Sequence, residues 1–174
     1  MPLAVTHVIL TIILVDLFRD YIMKKHKKYL TLHTIMIAGI AGLLPDIDIP
    51  INWVLNLFGY SYEIMQHGGL THTALFGLIF LIPAFIYWKK KRYKMATYLF
   101  VITFGVLFHV FLDYFLGGGR FEGIMWFWPL SAHPYKLHLL AKIGLSNVPA
   151  ALDAVILLGW LWHEEIKHKI SDFI

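Results

Sequence analysis

Four histidines and three aspartates carry most of the chemistry that this 174-residue chain can do. His109 and Asp113 are four residues apart, so a helix stacks them on one face, about one turn from each other. Asp46 and Asp48 lie in Leu44-Pro45-Asp46-Ile47-Asp48-Ile49-Pro50. The two prolines disfavour helix at the residues before them, so the carboxylates are expected on an ending helix or a turn. His67 and His72 bracket Gly68, Gly69 and Thr71, where glycine permits close backbone approach and threonine can orient a neighbouring ring. Thr6-His7 repeats the Thr71-His72 pair. Imidazole and carboxylate donors in a chain without cysteine suit Zn2+, Mn2+ or Fe2+. Seven ligands exceed the need of one tetrahedral ion, so a two-metal site with a bridging carboxylate is expected. A divalent ion so held acidifies water and polarises ester or phosphoryl oxygens, which makes hydrolysis the default reaction.

The elements that must carry these residues are apolar. Hydrophobic residues make up 59% of the chain and charged ones 15%, and the mean hydropathy is +0.66. That composition excludes a disordered chain and an ordinary soluble globule. At roughly 20 apolar residues per crossing, five transmembrane spans are expected, at about 2–23, 30–44, 70–88, 95–116 and 148–162. The expected fold is an all-α polytopic membrane bundle forming a single domain over residues 1–174. One or two external interfacial helices, within 46–69 and 136–143, would complete it. The net charge of +4 does not point to nucleic acid, because its basic residues sit in short runs beside apolar stretches. Lys24, Lys25, Lys27 and Lys28, then Lys89 to Arg92 with Lys94, then Lys167 and Lys169 all fall on one side of a five-span bundle. The positive-inside rule makes that side cytoplasmic. The expected protein is thus integral to the cell membrane, with its N-terminus external and its C-terminus cytoplasmic. No basic region precedes the first apolar run, so that run is expected to stay as a helix rather than be cleaved as a signal peptide. In this topology all seven ligands reach the external face.

Other polar residues take plainer roles. His26, His33, His163 and His168 fall toward the cytoplasm and are expected to be solvated or interfacial. His133 and His138 share the site's face but lie in an aromatic loop. Asp16 and Arg19 are spaced for an i, i+3 ion pair. Asp153 is placed to support a ligating histidine or simply to lie at the interface, and Glu122 to act as a base or be solvated.

The ordered set Thr6-His7, Gly39 to Asp48, His67 to Thr73, His109 to Asp113 and Trp128-Pro129 resembles the YdjM-like family of membrane-bound metal-dependent hydrolases. The likeness covers all but about the last thirty residues. The family's arginine in the third element is Gly68 here, so any anion contact made by that arginine must come from elsewhere, such as Arg120. The resemblance implies a metal site formed by His7, Asp46, Asp48, His67, His72, His109 and Asp113, with one or two divalent ions, zinc first. His72, Asp48 and Asp113 are the expected catalytic residues, and Arg120 the expected substrate contact. The location favours an amphipathic substrate drawn from membrane lipids, a lipid phosphoester first, cleaved by metal-activated water. The competing classes are a metal-handling transporter and a structural or regulatory membrane protein.

Overall fold

A computed structural model describes residues 4–23, 27–65, 67–117, 123–145 and 149–169. Helix α1 (Ala4–Leu17) continues through a π-helical turn (Phe18–Ile22). It is followed by α2 (Leu32–Ala41), a 3-10 turn (Pro45–Ile47) and α3 (Asp48–Leu57). Another 3-10 turn (Leu70–His72) leads into α4 (Ala74–Leu78), α5 (Leu81–Lys89) and α6 (Tyr93–Leu116). The short α7 (Leu139–Lys142) precedes α8 (Ala150–His168). The fold is all-helical, and its one β-bridge among the described residues joins Ile124 to Tyr135.

The expectation of five transmembrane helices is corrected by this arrangement. Among the described residues, only α6 is long and apolar enough by itself to cross a membrane; α2 with 45–57 makes a second span if that pair, bent by 51°, counts as one. The physical reasons lie in charge and in breaks. α1 runs 14 residues before a turn that carries Arg19 and Asp20. The 70–88 stretch becomes helical only from Ala74, which leaves an apolar helix over Ala74–Lys89, with a turn between α4 and α5, too short to cross. α8 has 19 residues but includes Asp153, Glu164, Glu165 and Lys167.

α1, α2 and α6 form the centre, and small residues set their spacing. A Cβ on Gly105 of α6 would stand 2.7 Å from the Ala38 carbonyl oxygen and 2.8 Å from the Ala41 Cβ. On Gly39 of α2 it would meet the Ile12 side chain at 2.7 Å. Ile35, Ala38, Val15 and Val101 are buried at this junction. Polar contacts dock α8 alongside α1 in parallel: the Thr6 hydroxyl lies 2.9 Å from both Asp153 oxygens, Trp160 Nε1 donates to Asp16, and His168 Nε2 lies 2.6 Å from Asp20.

Prolines behave differently from expectation. Leu44 is helical (φ −58°, ψ −38°), and Pro50 lies inside the first turn of α3, where its missing N–H has no helical partner to lose. A helix, α3, does form within 46–69, but it belongs to the bent apolar pair with α2, and the helix expected at 136–143 contracts to α7. Basic residues gather at one end of the bundle. Lys167 stacks over Tyr21 at 3.5 Å, Lys28 lies over Tyr29, and Tyr29 meets Tyr93. Tyr21 and Tyr29 line the same apolar cavity of about 770 Å3.

Candidate metal centre

Sequence dictates where each donor enters. α6 is uninterrupted, so His109 and Asp113 project together one turn apart, both fully buried. Thr31 caps α2 by accepting from the Thr34 N–H, and α2 ends at Gly42, beyond which the 3-10 turn delivers Asp46 and Asp48. Gly68 adopts φ +89°, a conformation that an arginine at this position would resist, and it turns the chain so that His67 and His72 face the same carboxylates. His7 enters from the first turns of α1 and stacks on His109 with ring centroids 3.7 Å apart.

All seven residues are brought into one contiguous cluster, but not as equals. At its centre His72 Nε2 lies 3.3 Å from His109 Nε2, 3.6 Å from Asp46 Oδ1 and 3.6 Å from Asp113 Oδ2. His109 Nε2 lies 3.5 Å from Asp46 Oδ1 and 3.2 Å from Asp113 Oδ2. Ligand atoms at 2.0–2.2 Å from a tetrahedral ion stand roughly 3.3–3.6 Å from one another. Five of the six separations among these four atoms, those made by the two histidine nitrogens, therefore match the edges of such a site.

Proton positions strengthen this fit. His109 Nδ1 is 2.6 Å from the Gly42 carbonyl oxygen, so it carries a hydrogen and donates it there, which turns Nε2 toward the Asp113 carboxylate. Both Asp113 oxygens are buried without a hydrogen-bond donor, and so is His7 Nδ1. Lone pairs aimed at each other in a buried site repel unless a cation lies between them. In the absence of metal a proton serves. Burial pulls His72 down, but its hydrogen bonds to Asp46 and Asp48 and the field of Asp113 outweigh this and hold it at about 9.

The remaining residues surround this core. Asp48 Oδ2 lies 3.3 Å from His72 Nδ1 and accepts from the Thr71 hydroxyl at 3.2 Å, the arrangement of a carboxylate that orients a metal-bound histidine. His67 Nδ1 contacts the other Asp48 oxygen at 3.2 Å and Asp46 at 3.9 Å. His7 Nε2 approaches Asp113 Oδ1 at 3.4 Å, on the side away from the His72 contact. Three overlapping groups of potential ligands result: His7, His109 and Asp113; Asp46, His72 and His109; Asp48, His67 and His72.

Arg120 and Glu122 lie outside the described residues. His133 packs against Tyr135 and joins none of these groups, nor does His138. Asp153 supports Thr6, the neighbour of His7, rather than a histidine. The role of Gly42 was invisible in the sequence, because a backbone carbonyl has no residue signature. The expected Asp16–Arg19 pair forms at the far end of α1, but within a larger polar cluster that this i, i+3 spacing did not reveal. There Arg19 bridges Asp16 at 2.7 Å and Asp20 at 2.9 Å, while His163 and His168 meet Glu164 and Asp20 instead of being merely solvated. Spacing gave a partial signal, since Asp153, Trp160, Glu164 and His168 share one face of α8.

The chain matches the YdjM inner membrane protein family over residues 1–169 and belongs to that family. No curated protein and no solved structure matches it. Family membership makes it a membrane-associated protein, and its buried His/Asp groups can hold a metal ion.

Proposed function

We propose that the protein is a membrane-bound metal-dependent hydrolase acting on an amphipathic substrate, with a lipid phosphoester as the first candidate class. The observation that carries this reading is the cluster of His72, His109 and Asp113, buried, with Asp46 beside them, in which each histidine Nε2 stands at ligand-to-ligand spacing from the other and from both carboxylates, and both Asp113 oxygens lack a hydrogen-bond partner. Zinc suits this donor set, with manganese or iron as alternatives. A second ion, in the dinuclear form of the proposal, has His7 Nε2 and Asp113 Oδ1 available, which would make Asp113 the bridging carboxylate. A bound divalent cation supplies Lewis acidity, polarising a phosphoryl or carbonyl oxygen and making water a stronger acid near neutral pH.

The chain's own residues do the rest. The Gly42 carbonyl fixes the His109 ring, and Asp48 with Thr71 fixes the His72 ring. Burial of His7, His109 and Asp113 keeps bulk water from the inner side. His67, held by Asp48, is placed to take a proton from water arriving on the open side. Arg120 is assigned the contact to the substrate's anionic oxygens.

Topology supports a site near one membrane face. Tyr93 and His109 are 16 residues apart on α6, about 24 Å along the axis. The basic run from Lys89 to Arg92 precedes α6, while the donors cluster toward its other end. The positive-inside rule then assigns the basic end to the cytoplasm and the metal centre to the external side, with the N-terminus outside and the end of α8 inside.

The test is metal analysis of the purified protein together with hydrolysis of a panel of phospholipids and isoprenoid phosphates. One or two equivalents of metal, lost in His109→Ala and Asp113→Asn along with activity, are expected. A native protein without bound metal, or a metal-loaded protein that leaves the panel intact, overturns the proposal.

A further inference from the structure

Access to the centre is one-sided. His7, Asp48, His72, His109 and Asp113 are at most 2% exposed, whereas the side chains of Asp46 and His67 are 21% and 28% exposed. A molecule reaching the core therefore arrives on the side of Asp46 and His67. On that side lies a depression of about 460 Å3, lined by Ile49, Asn52, Trp53, Asn56, Ser61 and His67. The first four stand at i, i+3, i+4 and i+7 on α3, so one helical face forms the wall. Asn52 donates a hydrogen bond to the Met65 carbonyl, which pins that wall to the chain just ahead of His67.

The lining has a distinct chemistry. Among the described residues its lining holds no ionisable side chain apart from His67; it offers two carboxamides, a hydroxyl and an indole. Carboxamides and hydroxyls both donate and accept hydrogen bonds, so their natural counterparts are groups that do the same. Trp53, 72% exposed, presents an apolar surface beside them. A second anionic group would find no cation among these residues, and a quaternary ammonium would find one aromatic face rather than a cage. A neutral hydroxylated group satisfies the polar lining with its hydroxyls and the indole with its C–H surface.

We propose that this depression is a head-group subsite selecting an amphipathic phosphoester whose polar head is a neutral polyol or sugar. The inference rests on the hydrolase reading for the phosphoester, and it adds which head group is chosen.

The test uses the full-length protein as purified, in an amine-oxide detergent, which carries no sugar head to compete. Binding of dihexanoyl phosphatidylglycerol, phosphatidylcholine and phosphatidic acid is measured by calorimetry, and hydrolysis products are assayed separately. Phosphatidylglycerol is expected to bind about 10-fold more tightly than the other two, and Asn56→Leu to remove most of that preference. Asn56 is exposed, so the variant is expected to fold, with an unchanged metal content as the check. Ser61→Ala, the second variant, is expected to weaken phosphatidylglycerol about threefold while leaving phosphatidylcholine unchanged. Equal binding of the three lipids, tighter binding of phosphatidylcholine, or an unaltered preference in both variants overturns the subsite. Absence of hydrolysis with the binding preference intact sinks the hydrolase reading and leaves the subsite standing.

Discussion

Gly105→Ala is a one-methyl change at a residue that touches no ligand, and it tests how the site is built. The added Cβ would meet the Ala38 carbonyl oxygen at 2.7 Å, the Ala41 Cβ at 2.8 Å and the Gly42 nitrogen at 3.0 Å, so α6 must move away from the end of α2. Restoring ordinary contact distances takes about 0.5–1 Å. His109 lies one turn beyond Gly105, and its 2.6 Å contact with the Gly42 carbonyl would lengthen to about 3.1–3.6 Å, the outer edge of hydrogen bonding. Overpacking costs about 1–3 kcal/mol, offset by about 1 kcal/mol from the better helix propensity of alanine. The stability loss is therefore modest, about 0–2 kcal/mol. Metal affinity suffers more, because loss of a ligand's outer hydrogen bond costs about 10–100-fold. Competition with a chromophoric chelator reads the affinity, and a thermal melt of the metal-free protein reads the stability. Gly159→Ala is the control, since a Cβ there meets nothing within 4 Å. It should leave affinity unchanged and stabilise α8 slightly. Wild-type metal affinity in Gly105→Ala would refute the claim that the α2–α6 contact sets the geometry of the centre.

Three further outcomes are expected. Metal binding at neutral pH should release a proton, because His72, held at about 9 in the metal-free site, must lose it to coordinate; calorimetry in buffers of different ionisation enthalpy measures this, and a buffer-independent heat contradicts it. Thr6→Val leaves the buried Asp153 carboxylate without its hydroxyl donor, so the protein should lose about 1–3 kcal/mol in melts while keeping its metal; an unchanged melting temperature counts against the α1–α8 seam. Asp20 is held below the ordinary value of 3.8, burial opposing but its bonds and charge attraction to Arg19 and His168 prevailing. Its contribution is thus fully present above 3.8 and lost as pH falls through the lowered native value. Proteolysis near α8 should accelerate in acid, and Asp20→Asn should flatten that dependence.

Parts of the centre were legible because they are local. His109 and Asp113 share a helical face by spacing alone, and the proline- and glycine-containing segments mark where a chain can present Asp46, Asp48, His67 and His72. The ranking of the seven donors was not legible. It depends on which nitrogen of His109 meets the Gly42 carbonyl and on Asp48 turning toward His72, contacts spanning 67 and 24 residues of chain. The five-span expectation failed for a related reason. Hydropathy counts residues in a window, but it cannot see that the helix within 70–88 begins only at Ala74, nor that Arg19 and Asp20, in the turn after α1, are matched by polar groups on α8.

The sequence by itself determined the membrane character of the protein, its all-helical class and the types of donor available, because composition and short-range spacing act within one or two helical turns. Tertiary structure decided which carboxylate oxygens stand about 3.2–3.6 Å from the His72 and His109 nitrogens, which buried atoms lack a hydrogen-bond partner and which side of the centre is open. Those properties come from the close approach of α1, α2 and α6 at glycines and alanines. The distance between helices is fixed only when all three backbones pack.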